Sequence, residues 1–177
     1  MKVTVEIIEG VNVTVEGNVV KVSNGAINLS REFPHRALSI KVNNSAVDIE
    51  NLLPNAKSRA LVGTFRSHIT NMIKGTQEPF VYKLKVCSLH FPMSVKISGN
   101  EITVQNFLGG KQAKKAKFPS TVKVSIEGEL ITVQCPDKEL AGMVSSKIEQ
   151  LTRVRNKDRR VFQDGIYMTE KAGKKIE

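Results

Sequence analysis

Val13-Thr14-Val15-Glu16-Gly17-Asn18-Val19-Val20-Lys21-Val22 decides the fold, because its pattern returns as Val95-Lys96-Ile97-Ser98-Gly99-Asn100-Glu101-Ile102-Thr103-Val104. Each writing alternates apolar and polar residues on both sides of a Gly-Asn pair. That is the pattern of two antiparallel strands joined by a tight turn. The correspondence continues downstream. Leu38, Ile40 and Val42, then Val47 and Ile49, predict a second hairpin around Asn43-Asn44. Val122, Val124 and Ile126, then Ile131 and Val133, repeat it around Glu127-Gly128. The stripe Leu61, Phe65, Ile69, Met72 has helical spacing and returns as Leu140, Val144, Ile148, Leu151, with Gly63 falling on Gly142. Pro54-Asn55 opens the first helix with Asn55 as its N-cap, and Gly75 reads as its stop. Pro136-Asp137 opens the second helix, which should run to about Thr152.

Further alternation over Val3 to Ile7 and Phe80 to Val86 predicts extra strands, the latter closing the first copy. The expected fold class is α+β. Two tandem similar domains arise by internal duplication, each an antiparallel or mixed sheet of two hairpins and an extra strand, covered by one helix. The expected domains are residues 1–86 and 87–177, the second carrying a basic tail over 153–177.

The 177 residues hold 27 Lys+Arg against 17 Asp+Glu, a net charge of +10, with pI near 9.7. Such a balance favours a polyanionic partner, nucleic acid first and an anionic membrane second. No apolar run approaches the ~18 residues of a membrane span. The start, Met-Lys-Val-Thr-Val-Glu, alternates like a strand and lacks a signal peptide's apolar stretch. A soluble cytoplasmic protein is expected. Cys87 and Cys135 end apolar runs and read as buried free thiols rather than a disulfide framework. His35, His68 and His90 are scattered without metal-ligand spacing, His68 beside an apolar helical stripe. The sequence holds no Gly-x-Ser-x-Gly, Cys-x-x-Cys or His-Glu-x-x-His motif, so no enzyme, no cofactor, no metal and no small-molecule substrate is expected.

A duplication carries its own control. The segment between hairpins runs from Ser23 to Pro34 in the first copy, where Arg31 and Glu32 cancel. In the second it runs from Gln105 to Pro119 and holds Lys111, Lys114, Lys115 and Lys117 with no acid. Both end in Phe-Pro, so the same loop is being compared. Gly109-Gly110 predicts a flexible hinge that lets backbone N–H groups and ammonium heads lie along phosphates. Gly110-Lys111 lacks the earlier glycine and following hydroxyl of a Walker loop. A second cluster, Arg153, Arg155, Lys157, Arg159 and Arg160, is interrupted only by Asp158. Arginine's planar fork pairs phosphate and stacks on bases. Tyr167 is a candidate stacking residue, while Phe162 is expected to pack. Residues 153–177 hold few apolar groups and are expected to be disordered in the free protein, with 171–177 frayed.

Gln150, Val154, Lys157, Arg160, Phe162, Asp164-Gly165-Ile166-Tyr167-Met168 and Lys171 resemble the C-terminal signature of the large-subunit ribosomal protein six family. The branch resembled is archaeal and eukaryotic, whose eukaryotic member is numbered nine. His90-Phe91-Pro92 and Asn106-Phe107-Leu108-Gly109-Gly110-Lys111 are also similar, and the likeness spans the whole chain. The Pro-Glu-Pro-Tyr-Lys-Gly-Lys-Gly ending of the bacterial branch is not present. The resemblance implies a structural constituent of the large ribosomal subunit that binds 23S-type rRNA near the sarcin–ricin loop and the base of the factor-binding stalk. Partners would be large-subunit rRNA and neighbouring large-subunit proteins, with no membrane. RNA contacts would be Lys111, Lys114, Lys115, Lys117, Arg153, Arg155, Lys157, Arg159, Arg160 and Tyr167. Asp164-Gly165 would form a turn aiming Tyr167. The competing reading is a free-standing RNA-binding regulatory protein.

Overall fold

The computed structural model describes residues 2–25, 27–33, 38–43, 45–52 and 55–176. His35, and Pro34, Asn44 and Pro54 of the expected turns and cap, lie outside the described residues. The chain divides into two compact units, Met1–Pro79 and Phe80–Glu177.

The first unit contains β1 (Lys2–Glu6), β2 (Asn12–Glu16), β3 (Val19–Asn24), β4 (Ile27–Glu32), β5 (Leu38–Asn43), β6 (Ala46–Asn51) and α1 (Ala56–Gln77). All pairing is antiparallel, in two three-stranded sheets ordered β1-β6-β5 and β2-β3-β4. The expected single sheet is therefore two. The segment 23–34, read as a loop, contains β4, which caps the first hairpin with a third strand. Helix α1 packs on β1 and β6 of one sheet and on β3 and β4 of the other. Its buried stripe is Val62, Phe65, Ile69 and Ile73, one notch round from the expected one, since Leu61 and Met72 are only partly buried. Asn55 caps it as expected, its side chain accepting from the Ser58 N–H at 2.8 Å. Gly75 does not stop it. The helix continues to Gln77, because the Thr76 hydroxyl bonds the Ile73 carbonyl and the Asn24 side chain holds the Thr76 carbonyl.

The second unit repeats this plan: β7 (Phe80–Cys87), β8 (Ser94–Ser98), β9 (Glu101–Gln105), a 3-10 turn (Phe107–Gly109), β10 (Lys114–Lys117), β11 (Lys123–Glu127), β12 (Leu130–Cys135) and α2 (Lys138–Leu151). Gly17 and Gly99 turn the equivalent hairpins with φ +61° and +57°, a left-handed conformation that suits glycine. Sheet β8-β9-β10 matches β2-β3-β4. Strand β7 pairs with β12, Leu84 opposite Ile131 and Tyr82 opposite Val133. In the same way β1 pairs with β6, Val5 opposite Val47 and Val3 opposite Ile49. Phe80 to Val86 thus begins the second unit rather than ending the first, and the expected 86/87 boundary moves to 79/80. Alternation identified the strand, but only its partners say which copy owns it.

Beyond the repeat, β13 (Gly165–Lys171) pairs with β7 and with β14 (Lys174–Lys175), giving a five-stranded sheet β11-β12-β7-β13-β14. The tail expected to be disordered is built into the unit. Val154 and Ile166 are buried in its core, and the stretch 171–176 expected to fray carries β14. Few apolar residues were needed, because the pairing is through the backbone, with Val154 and Ile166 buried and Phe162, Met168 and Ala172 packed against the core. Both cysteines are free, Cys135 buried and Cys87 half-buried.

Candidate nucleic-acid interface

The segment expected to be a hinged loop is instead a built turn and a strand. Phe107 is buried beneath the turn. A Cβ on Gly109 would sit 3.2 Å from the Phe91 ring, and one on Gly110 3.1 Å from the Phe107 carbonyl oxygen. The two glycines sit in close packing, and Gly109 also takes a left-handed φ of +73° that suits glycine. Strand β10 then pairs with β9, and alternation sorts the lysines. Lys115 and Lys117 are exposed, whereas Lys114 shares the inward side with buried Ala116.

The four lysines consequently differ. The Lys114 ammonium lies 4.1 Å over the Phe107 ring. Burial pushes its pKa below the ordinary lysine value, and the charge of Arg155 pushes the same way. Lys115 Nζ is 3.1 Å from Glu101 Oε1. The side chains of Lys111 and Lys117 are exposed and form no ion pair among the described residues. Lys147 of α2 donates to the Lys117 carbonyl at 3.3 Å, so a cation the sequence reading missed joins the cluster. On an amphipathic helix its position looks like any solvated residue, and only the packing of α2 on β10 brings it there.

The tail cluster adjoins this one where Arg155 acts on Lys114. Val154 points into the core while Arg153 and Arg155 on either side are exposed. The Lys157 ammonium lies 4.4 Å over Phe162, which packs against the core as expected. Arg160 is bound to Asp158, with Nη2 2.8 Å from Oδ2 and Nε 3.1 Å from Oδ1. That pairing holds the Asp158 carboxyl below the usual range and leaves Arg160 less available than Arg153 or Arg159. Arg153 and Arg159 have no side-chain hydrogen bond or ion pair among the described residues.

Tyr167 stands on β13 opposite Lys85 and is 38% exposed. Its hydroxyl donates to the Gln163 carbonyl at 3.0 Å, which holds the ring in place. A Cβ on Gly165 would approach that ring to 3.2 Å, so glycine is what lets the ring lie there. A hollow of about 310 Å³ between the end of α2 and β13 is lined by Gln150, Arg153, Arg159 and Tyr167 among others.

Asp164-Gly165 is not the expected turn. Asp164 is fully buried and accepts backbone N–H groups from Leu89 (2.7 Å), His90 (3.1 Å) and Phe91 (3.1 Å). Its burial alone would raise the carboxyl's pKa. The three N–H donors, with a contribution from the His90 ring, win and hold it below the usual value. This clasp ties the start of β13 to the connector after β7. The His90 ring meets Phe162 at 5.5 Å between centroids.

The model of the ribosomal protein L6 family matches this chain twice, over residues 7–78 and 91–165. The chain belongs to the ribosomal protein L6 family. Large ribosomal subunit protein uL6 of Methanococcus vannielii is 45% identical over 170 residues, spanning 96% of this chain and 93% of that protein. The Nanoarchaeum equitans protein of the same name is 45% identical over 184 residues, spanning 99% and 96%. That of Methanosphaera stadtmanae is 41% identical, spanning 96% and 92%. The two L6 matches fall on the two units and bear out both the resemblance and the tandem α+β fold. Every lysine and arginine of the two clusters lies inside the second L6 match, whereas Tyr167 lies just beyond it.

No helix among the described residues is long and apolar enough to cross a membrane.

Proposed function

We propose that this chain is a structural constituent of the large ribosomal subunit and binds large-subunit rRNA through its second unit. The observation that carries the reading is near-full-length similarity to proteins named for that subunit. The chemistry of the second unit agrees with it. Lys111, Lys117, Lys147, Arg153 and Arg159 carry charge that no acid among the described residues neutralises. Ammonium groups serve as point charges for phosphates, and the arginine forks at the rim of the hollow can pair phosphate or stack on a base. Tyr167, held by its hydroxyl, offers a preorganised ring to an unstacked base. Lys114, Lys115, Lys157 and Arg160 remain contacts in this reading, each in competition with an intramolecular partner.

Within the subunit, we infer that the second unit lies near the sarcin–ricin loop and the base of the factor-binding stalk, with neighbouring ribosomal proteins as further partners; the family resemblance supports this reading. The role is architectural and on the ribosome. Sedimentation of a cell lysate tests it. The protein should travel with large subunits through a high-salt wash. Recovery in the soluble fraction, bound to other RNAs, would favour a free-standing regulator.

A further inference from the structure

The two helices of the duplication carry opposite chemistry to the two loops. Helix α2 holds Lys138 and Lys147 with Glu139 and Glu149, and is neutral. Helix α1 holds Lys57, Arg59, Arg66 and Lys74 and not one acid in 22 residues. All four cations are exposed, and none forms an ion pair among the described residues. Two of them, Lys57 and Arg59, lie at the start of the helix, where the macrodipole is itself positive and acids are favoured. Helix α2 has Glu139 there. The first turn of α1 therefore opposes the helix's own electrostatics, which a helix kept only for packing has no reason to do.

The flank bearing the arginines is also where the units differ in cover. On the repeat offset that aligns Gly63 with Gly142, Arg66 corresponds to Ser145. Ser145 is fully buried, on a helix against which β13 packs. The first unit has no described strand in that place. β1 ends its sheet in the order β1-β6-β5, and Arg66 is exposed on α1, which packs on β1. Arg59 and Arg66 are seven residues apart, two helical turns or about 10 Å on one face. Ala60, Gly63, Thr64 and Ser67 form the adjoining outer surface and are short and uncharged. A phosphate chain can approach such a surface closely, with no acid to repel it.

We propose that the outer face of α1, centred on Arg59 and Arg66 with Lys57 and Lys74 at its ends, is a second phosphate-backbone site that engages RNA. Charge complementarity selects RNA over an extended protein strand at the same uncovered place. The inference rests on the rRNA-binding reading only for the identity of the polyanion. The first unit is then an RNA-anchoring element in its own right, and the chain grips RNA at two separately encoded surfaces.

The test uses the full chain and deproteinised large-subunit rRNA, with affinity measured across a salt series. Arg59→Gln with Arg66→Gln should lower the slope of log K against log salt by about 1.4 to 1.8, two contacts at ~0.7 to 0.9 each. Arg59→Lys with Arg66→Lys should keep the wild-type slope, since charge is retained, and also shows that the helix tolerates change there. Amide exchange along α1 checks that the Gln variant is folded. A folded Gln variant with wild-type slope overturns the proposal, and a protein strand would then be the better occupant. If the wild-type chain itself fails to bind this RNA, the fault lies with the rRNA-binding reading instead.

Discussion

The sheet β1-β6-β5 of the first unit and the sheet β11-β12-β7-β13-β14 of the second are the same three strands, with and without an addition. In the first, β1 ends the sheet. In the second, its counterpart β7 is covered by β13, and β13 brings Tyr167, the Asp164 clasp and the preceding run of arginines with it. One appended strand changes both stability and chemistry. It pairs a free edge, which exposed sheets must otherwise protect, and it fixes a basic segment that would have little reason to be ordered alone. The comparison teaches that the duplicated scaffold is shared ground, and that what was added or substituted on it supplies the exposed cations and the Tyr167 ring of the second unit.

The strongest way to break this comparison is to remove the addition. Truncation after Thr152 leaves β7 as an edge strand and uncovers Leu84 and Val86. If the second unit has come to depend on β13, amide exchange should lose protection throughout β7 and β12 while the first unit is unaffected. Retained protection would show that the second unit still folds on the repeat alone. The single change Ile166→Ala should cost about 2–5 kcal/mol by the same logic, since that side chain is buried in the core.

A smaller effect is expected at the clasp. Asp164→Asn replaces one acceptor oxygen with a donor facing backbone N–H groups, so at least one buried donor loses its partner, at about 1–3 kcal/mol. The pH dependence sharpens this. The folded carboxyl titrates below its ordinary value, so its stabilisation is fully present above the unfolded value near 4. It is lost as pH falls through the folded value. Thermal melts of the second unit should therefore fall more steeply on acidification in the wild type than in Asp164→Asn. Parallel pH curves would remove the clasp from the account.

Within the loop the structure ranks lysines that composition treats alike. Lys111→Gln with Lys117→Gln should reduce the salt slope of rRNA-fragment binding by about 1.4 to 1.8 for two contacts. Lys115→Gln alone should change it less, because Glu101 already holds that ammonium. Equal effects would mean that intramolecular pairing is irrelevant to availability. The smallest effect should come from Tyr167→Phe, which loses one hydrogen bond, about 0.5–1.5 kcal/mol, and leaves the ring able to stack. Tyr167→Ala should weaken rRNA binding further, and identical affinities for the two variants would exclude the ring as a stacking platform.

Much of this was legible in the chain. The Gly-Asn hairpins, the helices, the Asn55 cap and the packed role of Phe162 follow from residue spacing and local hydrogen bonding, and the structure keeps them. Other features were hidden for specific reasons. β4 and β10 read as loop because Ile27–Glu32 is mostly polar and Lys114–Lys117 is almost wholly cationic. Such segments become strands only because a hairpin edge offers them partners. Gly109 and Gly110 signalled flexibility, yet they sit in close packing against Phe91 and the Phe107 carbonyl, which leave little room for a side chain. Lys147 carried no sequence signal at all.

The sequence by itself determined that this protein is a duplicated α+β chain with uneven positive charge, because periodicity and charge are local properties that a reader can count. Only the tertiary structure decided which copy owns Phe80–Cys87, that the tail is a strand, and which cations are spoken for by Glu101, Asp158 or an aromatic ring. Those are matters of pairing between residues far apart in the chain, and pairing is settled by which edges and carboxylates fold within reach.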